Sequence, residues 1–202
     1  IDDVVDVIRD EADDSVLNMA GLNKEDDIFA PIIQSTKRRT LWLGANLITA
    51  ILAAAAIGIF EATIEKIVTL AILMPIVASM GGIAGMQSLA LVIRSQATNQ
   101  IGLSNSKLLI LKESAIGVLN GILWSSVVSI AVYLWFDSVF LGVVIAVALL
   151  VNLIIGAISG VTLPLILKKL NIDPAIAGGV ILTTITDIVG FISLLGVATL
   201  IM

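Results

Sequence analysis

The chain has 202 residues, 58% of them hydrophobic and only 13% charged, whereas soluble domains carry about 25% charged residues. Composition alone therefore reads as an integral membrane protein. The absence of cysteine and histidine excludes disulfides, zinc sites with nitrogen and sulfur ligands, histidine-ligated haem and nucleophilic triads.

The net charge of −5 describes neither part of the chain, because ten of the sixteen acids lie in residues 1–36 with only Arg9 and Lys24 against them. Residues 2–20 read as an amphipathic helix. Val4, Val5, Ile8, Ala12, Val16 and Met19 mark its apolar face, and Gly21 ends it. An acidic connector follows. Within it, Asp26 and Asp27 belong either to a solvated face or to a regulatory patch that binds divalent cations or docks on a neighbouring subunit. A start at Ile1, acidic and amphipathic, is neither a signal peptide nor a natural beginning, and reads as a piece of a longer protein.

Lys37-Arg38-Arg39 stands directly before Leu41-Trp42-Leu43, a basic and aromatic anchor at a membrane interface. Five apolar segments follow, at about 40–60, 67–93, 108–136, 139–167 and 175–202, each longer than the ~20 residues that span a bilayer. The expected fold is an all-α membrane protein with five transmembrane helices per chain, preceded by a short amphipathic cytoplasmic helical segment. Near the spans, Lys37, Arg38, Arg39, Arg94, Lys107, Lys112, Lys168 and Lys169 fall on one side and Lys66 on the other, eight to one. This places the N-terminus in the cytoplasm and the C-terminus outside.

Three G-x-x-x-G pairs, Gly81/Gly85, Gly117/Gly121 and Gly156/Gly160, permit close helix approach in a packed bundle or at an oligomer seam. The second span also holds Pro75, which invites a kink, and Gly81, Gly82 and Gly85, which bare its backbone. Gln87 and Ser88 add polar groups. These features suit either helix crossing or one wall of a narrow aqueous pore.

The last span carries Asp187, about 18 Å along its helix and near the midplane of a ~30 Å hydrocarbon core. A carboxylate there costs roughly 2.5–3.5 kcal/mol on insertion scales, so it is expected to face protein or water. Thr183, Asp187 and Gly190 stand at i, i+4 and i+7, on one helix face. The plain alternative is a buried Asp tied to a neighbouring Thr or Asn. The functional reading is a cation site on a membrane pathway.

Oxygen donors without Cys or His favour hard ions such as Mg²⁺, Ca²⁺ or Mn²⁺. Mg²⁺ keeps its waters and needs few carboxylates, so two copies of Asp187 in a dimer would neutralise it. Asp187 is read as the one acid deep in a span. That weighs against a carrier exchanging a divalent cation for H⁺ or Na⁺, which needs a second acid for coupling. It also leaves an intramembrane aspartyl protease without its second aspartate, so the chain is not expected to be an enzyme.

Met74-Pro75 through Gly81-Gly82-Ile83-Ala84-Gly85-Met86-Gln87-Ser88 resembles the second-helix signature of the MgtE family of magnesium channels. Asp173-Pro174 through Thr183-Thr184-Ile185-Thr186-Asp187 to Gly190 is similar to that family's fifth helix. The resemblance implies residues 1–21 as the end of a cytoplasmic CBS-type region, 22–38 as the connecting helix and 39–202 as the transmembrane domain. It implies a homodimer in the bacterial cytoplasmic (inner) membrane, with a pore at the two-fold axis lined by the second and fifth spans. Asp187 is then the metal residue for Mg²⁺, with Mn²⁺, Co²⁺ or Ca²⁺ as further ions. Thr183, Thr186, Gly190, Gly81, Gly82, Gly85, Gln87, Ile83 and Met86 are the pore-lining candidates. Other implied partners are membrane lipid and the cytoplasmic N-terminal and CBS domains of the same chain; no nucleic acid is expected. Ile83 and Met86 stand where the family has asparagines, a departure that bears on ion selectivity.

Overall fold

The computed structural model describes residues 13–14, 16–22, 29, 31–97 and 106–202, the Arg38 and Ala97 side chains excepted. Five long helices carry the fold: α1 (Ile32–Gly58), α3 (Thr69–Ala97), α4 (Ser106–Phe136), α5 (Val139–Lys169) and α6 (Pro174–Ile201). A short helix, α2 (Glu61–Lys66), joins α1 to α3. All five long helices are long and apolar enough to cross a membrane. With 27 to 31 residues each, they measure about 40–46 Å, so they tilt or project beyond a ~30 Å core. The protein is an all-α, multi-pass membrane protein.

Two boundaries differ from the expected segments. The first span is expected at 40–60, but α1 begins at Ile32 and runs unbroken past Lys37 and Arg39. Pro31 precedes its first turn, and no glycine or proline interrupts residues 32–43. The loop expected at 61–66 is helix α2. Glu61 in its first turn and Lys66 in its last complement the helix dipole. Thr63 Oγ1 meets Thr199 Oγ1 at 2.7 Å, fastening α2 to the end of α6.

Helices that are apolar on every side cannot be oriented by periodicity, so small residues decide which faces meet. α5 is the central helix, packed against α3, α4 and α6. Gly81 and Gly85 of α3 cross Gly156 and Gly160 of α5. A Cβ on Gly156 would stand 2.7 Å from the Gly81 carbonyl oxygen. Gly117 and Gly121 seat α4 on the other side of α5, each with a side-chain carbon of α5 at 2.8 Å from where a Cβ would sit. All three glycine pairs thus close seams within one protomer. α1 leans on α6 and leaves Leu41, Leu47, Ile48 and Ile51 exposed, a face suited to hydrocarbon.

The turn between α5 and α6 is built by local chemistry. Asn171 takes a left-handed φ of 58°, and Ile172 N donates back to Leu167 O at 3.0 Å, closing the end of α5. Asp173 Oδ1 accepts from Ala175 N at 2.8 Å and caps α6, with Pro174 in its first turn. Residues 16–19 are helical. Met19 packs against Leu89, Ile93, Ala175 and Leu182 at this end of the bundle. Gly21, at φ 73°, lies so close to Trp42 that a Cβ would stand 2.6 Å from the ring. Most of the helix expected at 2–20, together with Asp26 and Asp27, lies outside the described residues.

Candidate cation site

Asp187 lies thirteen residues after Pro174, about 20 Å along α6 and near its middle. Its side chain is half-buried. The hydroxyls around it serve their own helix. Thr183 Oγ1 donates to Gly179 O and Val180 O, each at 3.1 Å. Thr186 Oγ1 donates to Leu182 O at 3.2 Å and to Thr183 O at 3.1 Å. Hydroxyls bonded back to the helix keep oxygen lone pairs for an ion or its waters. The nearby amide, Asn152 Nδ2, donates to Val77 O at 2.8 Å. The Thr183 and Thr186 hydroxyl protons thus go to main-chain carbonyls of α6, and neither is donated to the Asp187 carboxylate.

α3 forms the adjoining wall. Gly82 faces Thr186, whose Oγ1 would lie 3.9 Å from a Cβ on the glycine. Met86 reaches Gly179, with its sulfur 3.8 Å from where a Cβ would sit. A Cβ on Gly85 would meet Leu182 Cδ1 at 2.9 Å and Gly156 O at 3.1 Å, so Gly85 sits where α3, α5 and α6 converge. Gly82, Met86 and Thr186 thus share the α3–α6 contact region, while Thr183 bonds to its own helix.

The remaining candidates lie elsewhere. Gly81 and Gly190 face Asn152, and a Cβ on Gly190 would approach Asn152 Nδ2 to 2.7 Å. Ile83 is 55% exposed on the protomer surface. Gln87 borders a cavity shared with α4.

Two polar residues were missed by sequence reasoning. Asn152 is fully buried, wedged between the glycines of α3 and α6, with its Oδ1 unpartnered. Its signal was an amide in a long run of aliphatic residues. Glu113 of α4 is 6% exposed and accepts a hydrogen bond from Ser88 Oγ at 2.7 Å. It corrects the reading of Asp187 as the only acid inside a span. Glu113 sits close to Lys107 and Lys112 in the sequence and so reads as part of a helix end, but α3 and α5 cover it.

Among the described residues no three acids, histidines or cysteines gather in one place. Among the described residues Asp187 and Glu113 therefore stand as separate single carboxylates within spans, and a divalent cation at Asp187 would need waters or a second copy to complete its shell. The family described as a divalent cation transporter, MgtE, matches residues 74–197, from the residue before Pro75 to beyond Asp187. The chain belongs to the MgtE family. It is 35% identical over 199 residues to the "Magnesium transporter MgtE" of Bacillus subtilis, covering 98% of this chain and 44% of that protein. Against the protein of the same name from Enterococcus faecalis, identity is 31% over 202 residues, covering 100% of this chain and 44% of the relative. Against that of Thermus thermophilus, it is 28% over 204 residues, 100% of this chain and 45% of the relative. This MgtE chain thus spans less than half the length of these relatives.

Proposed function

We propose that this MgtE chain forms a magnesium channel across the bacterial cytoplasmic membrane, with its pore at the axis of a homodimer and walls from α3 and α6. One observation carries the reading. A mid-span carboxylate, Asp187, is half-buried and accepts no hydrogen bond from the neighbouring Thr183 and Thr186 hydroxyls, which bond to the main chain. Two such carboxylates brought to one axis neutralise a double charge, and retained waters fill an octahedral shell that Mg²⁺ gives up reluctantly. Thr183 and Thr186 offer acceptor oxygens beside them. Mn²⁺, Co²⁺ and Ca²⁺ share the preference for oxygen closely enough to compete.

The dimer rests on this charge balance and not on the glycines, because Gly81 and Gly85 are occupied by α5 within the protomer. The basic asymmetry puts the N-terminus in the cytoplasm, where the longer relatives would carry further sequence. Magnesium sensing there, through Asp26, Asp27 and the preceding CBS domains, belongs to the same proposal.

The transport class is tested by flux. In proteoliposomes with no Na⁺ or H⁺ gradient, Mg²⁺ entry is expected to follow its own gradient and the membrane potential alone. A strict requirement for an opposing Na⁺ or H⁺ gradient would instead establish the exchanging carrier. Glu113 gives that second reading the additional acid it needs.

A further inference from the structure

Glu113 has no part in the pore described above, yet its setting is that of a site. It lies about 10 Å from the start of α4 and about 12 Å from the helix midpoint. This places it within a ~30 Å hydrocarbon core, near the edge that bears Arg94, Lys107 and Lys112. A buried acid at such a depth is costly unless a proton, a cation or hydrogen bonds compensate it. Ser88 supplies one bond, at 2.7 Å to Oε2.

Two cavities meet at this carboxylate. One, of about 130 Å³, is bordered by Gln87, Ser88, Glu113 and Asn120. The other, of about 160 Å³, is bordered by Ser88, Ser95, Lys112 and Glu113 and leads toward the end of the bundle. Each is large enough for an ion and several waters, since a water occupies about 30 Å³ in the liquid. The first is bordered by one buried carboxylate, one hydroxyl and the exposed amide residues Gln87 and Asn120, among six apolar or glycine neighbours, oxygen-bearing groups of the kind that suit a hard cation. It lies off the far side of α3 from the Asp187 wall. Ser88 is six residues from Gly82, about 120° around the helix, and Ala84, which also borders the cavity, is about 160° around.

We infer that Glu113, with Ser88, Gln87 and Asn120, binds a monovalent hard cation of the Na⁺ type between α3 and α4. The charge balance selects the valence. One carboxylate neutralises a single positive charge, whereas a divalent ion would leave a net charge in a low-dielectric place. The second cavity gives the ion a route from the basic end of the bundle. The site does not depend on the pore, because none of its donors lies on α6.

The test is equilibrium binding of radiolabelled Na⁺ to the purified protein in lipid nanodiscs, with choline keeping ionic strength constant. Saturable binding of one ion per chain is expected, with Mg²⁺ competing more than tenfold less well than Na⁺. Glu113→Gln keeps the size and an acceptor for Ser88, and is expected to weaken Na⁺ binding more than tenfold. Asp187→Asn is expected to leave it intact, which separates this site from the pore. Asn120→Leu, at an exposed position, is expected to weaken Na⁺ binding and serves as the readout if Glu113→Gln does not fold. Three results would overturn the inference: no saturable Na⁺ binding, binding unchanged in Glu113→Gln or Asn120→Leu, or preference for Mg²⁺ at this site.

Discussion

Asp187→Asn is expected to abolish specific Mg²⁺ binding and Mg²⁺-selective flux while leaving the protein folded. Asparagine keeps the shape and removes the charge. A bond between a charged group and a water shell contributes about 1.5–3 kcal/mol. A symmetric site loses two carboxylates at once, so the expected loss is about 3 kcal/mol or more, roughly a hundredfold in affinity. Stability should not fall, because the neutral amide is cheaper to hold in a span than a carboxylate and the local donors already bond to the main chain. Competition binding with Mg²⁺ and flux in proteoliposomes check this. Parental affinity in the variant would show that Asp187 is a packing residue.

Gly156→Ala is expected to destabilise the helix bundle. The added methyl would stand 2.7 Å from the Gly81 carbonyl oxygen and 3.4 Å from Gly85 N, both backbone atoms that no rotamer change can move aside. Overpacking of this kind costs about 1–3 kcal/mol. The displaced element is α3, so Gly82 and Met86 would shift relative to Thr186 and Gly179, and flux should fall with stability. Gly58→Ala is the control, since a Cβ there meets nothing within 4 Å. Thermal unfolding in detergent should separate the two variants by several degrees. Equal stability would mean that α3 and α5 do not cross at this glycine seam.

Much of the fold was legible because each span is a long apolar run bounded by basic or turn residues, and length alone identifies a crossing helix. The start of α1 lies earlier than expected, because Lys37 and Arg39 read as a boundary although the helix runs through them from Ile32. Packing was the hidden part. On α3 nearly every face is apolar, so spacing could not say that Gly81 would receive Asn152 or that Gln87 would border α4. A polar residue on such a helix is placed by whichever neighbour arrives, and that is a property of tertiary contact. Asp187 stood out in the chain order because a lone carboxylate in a long apolar run is costly, and the structure places it half-buried near the middle of α6. Glu113 carried the same kind of signal but lay near lysines, where burial decides its meaning and the chain order does not show burial.

In the proposed dimer two Asp187 carboxylates share one hydrated cation. Counting specifically bound Mg²⁺ in the purified protein and subtracting the count for Asp187→Asn measures that sharing. A difference of one ion for every two chains is expected, together with a dimeric mass in detergent. A difference of one ion per chain would place a complete site in each protomer, and no difference would remove Asp187 from ion binding; either result contradicts a site shared across the axis.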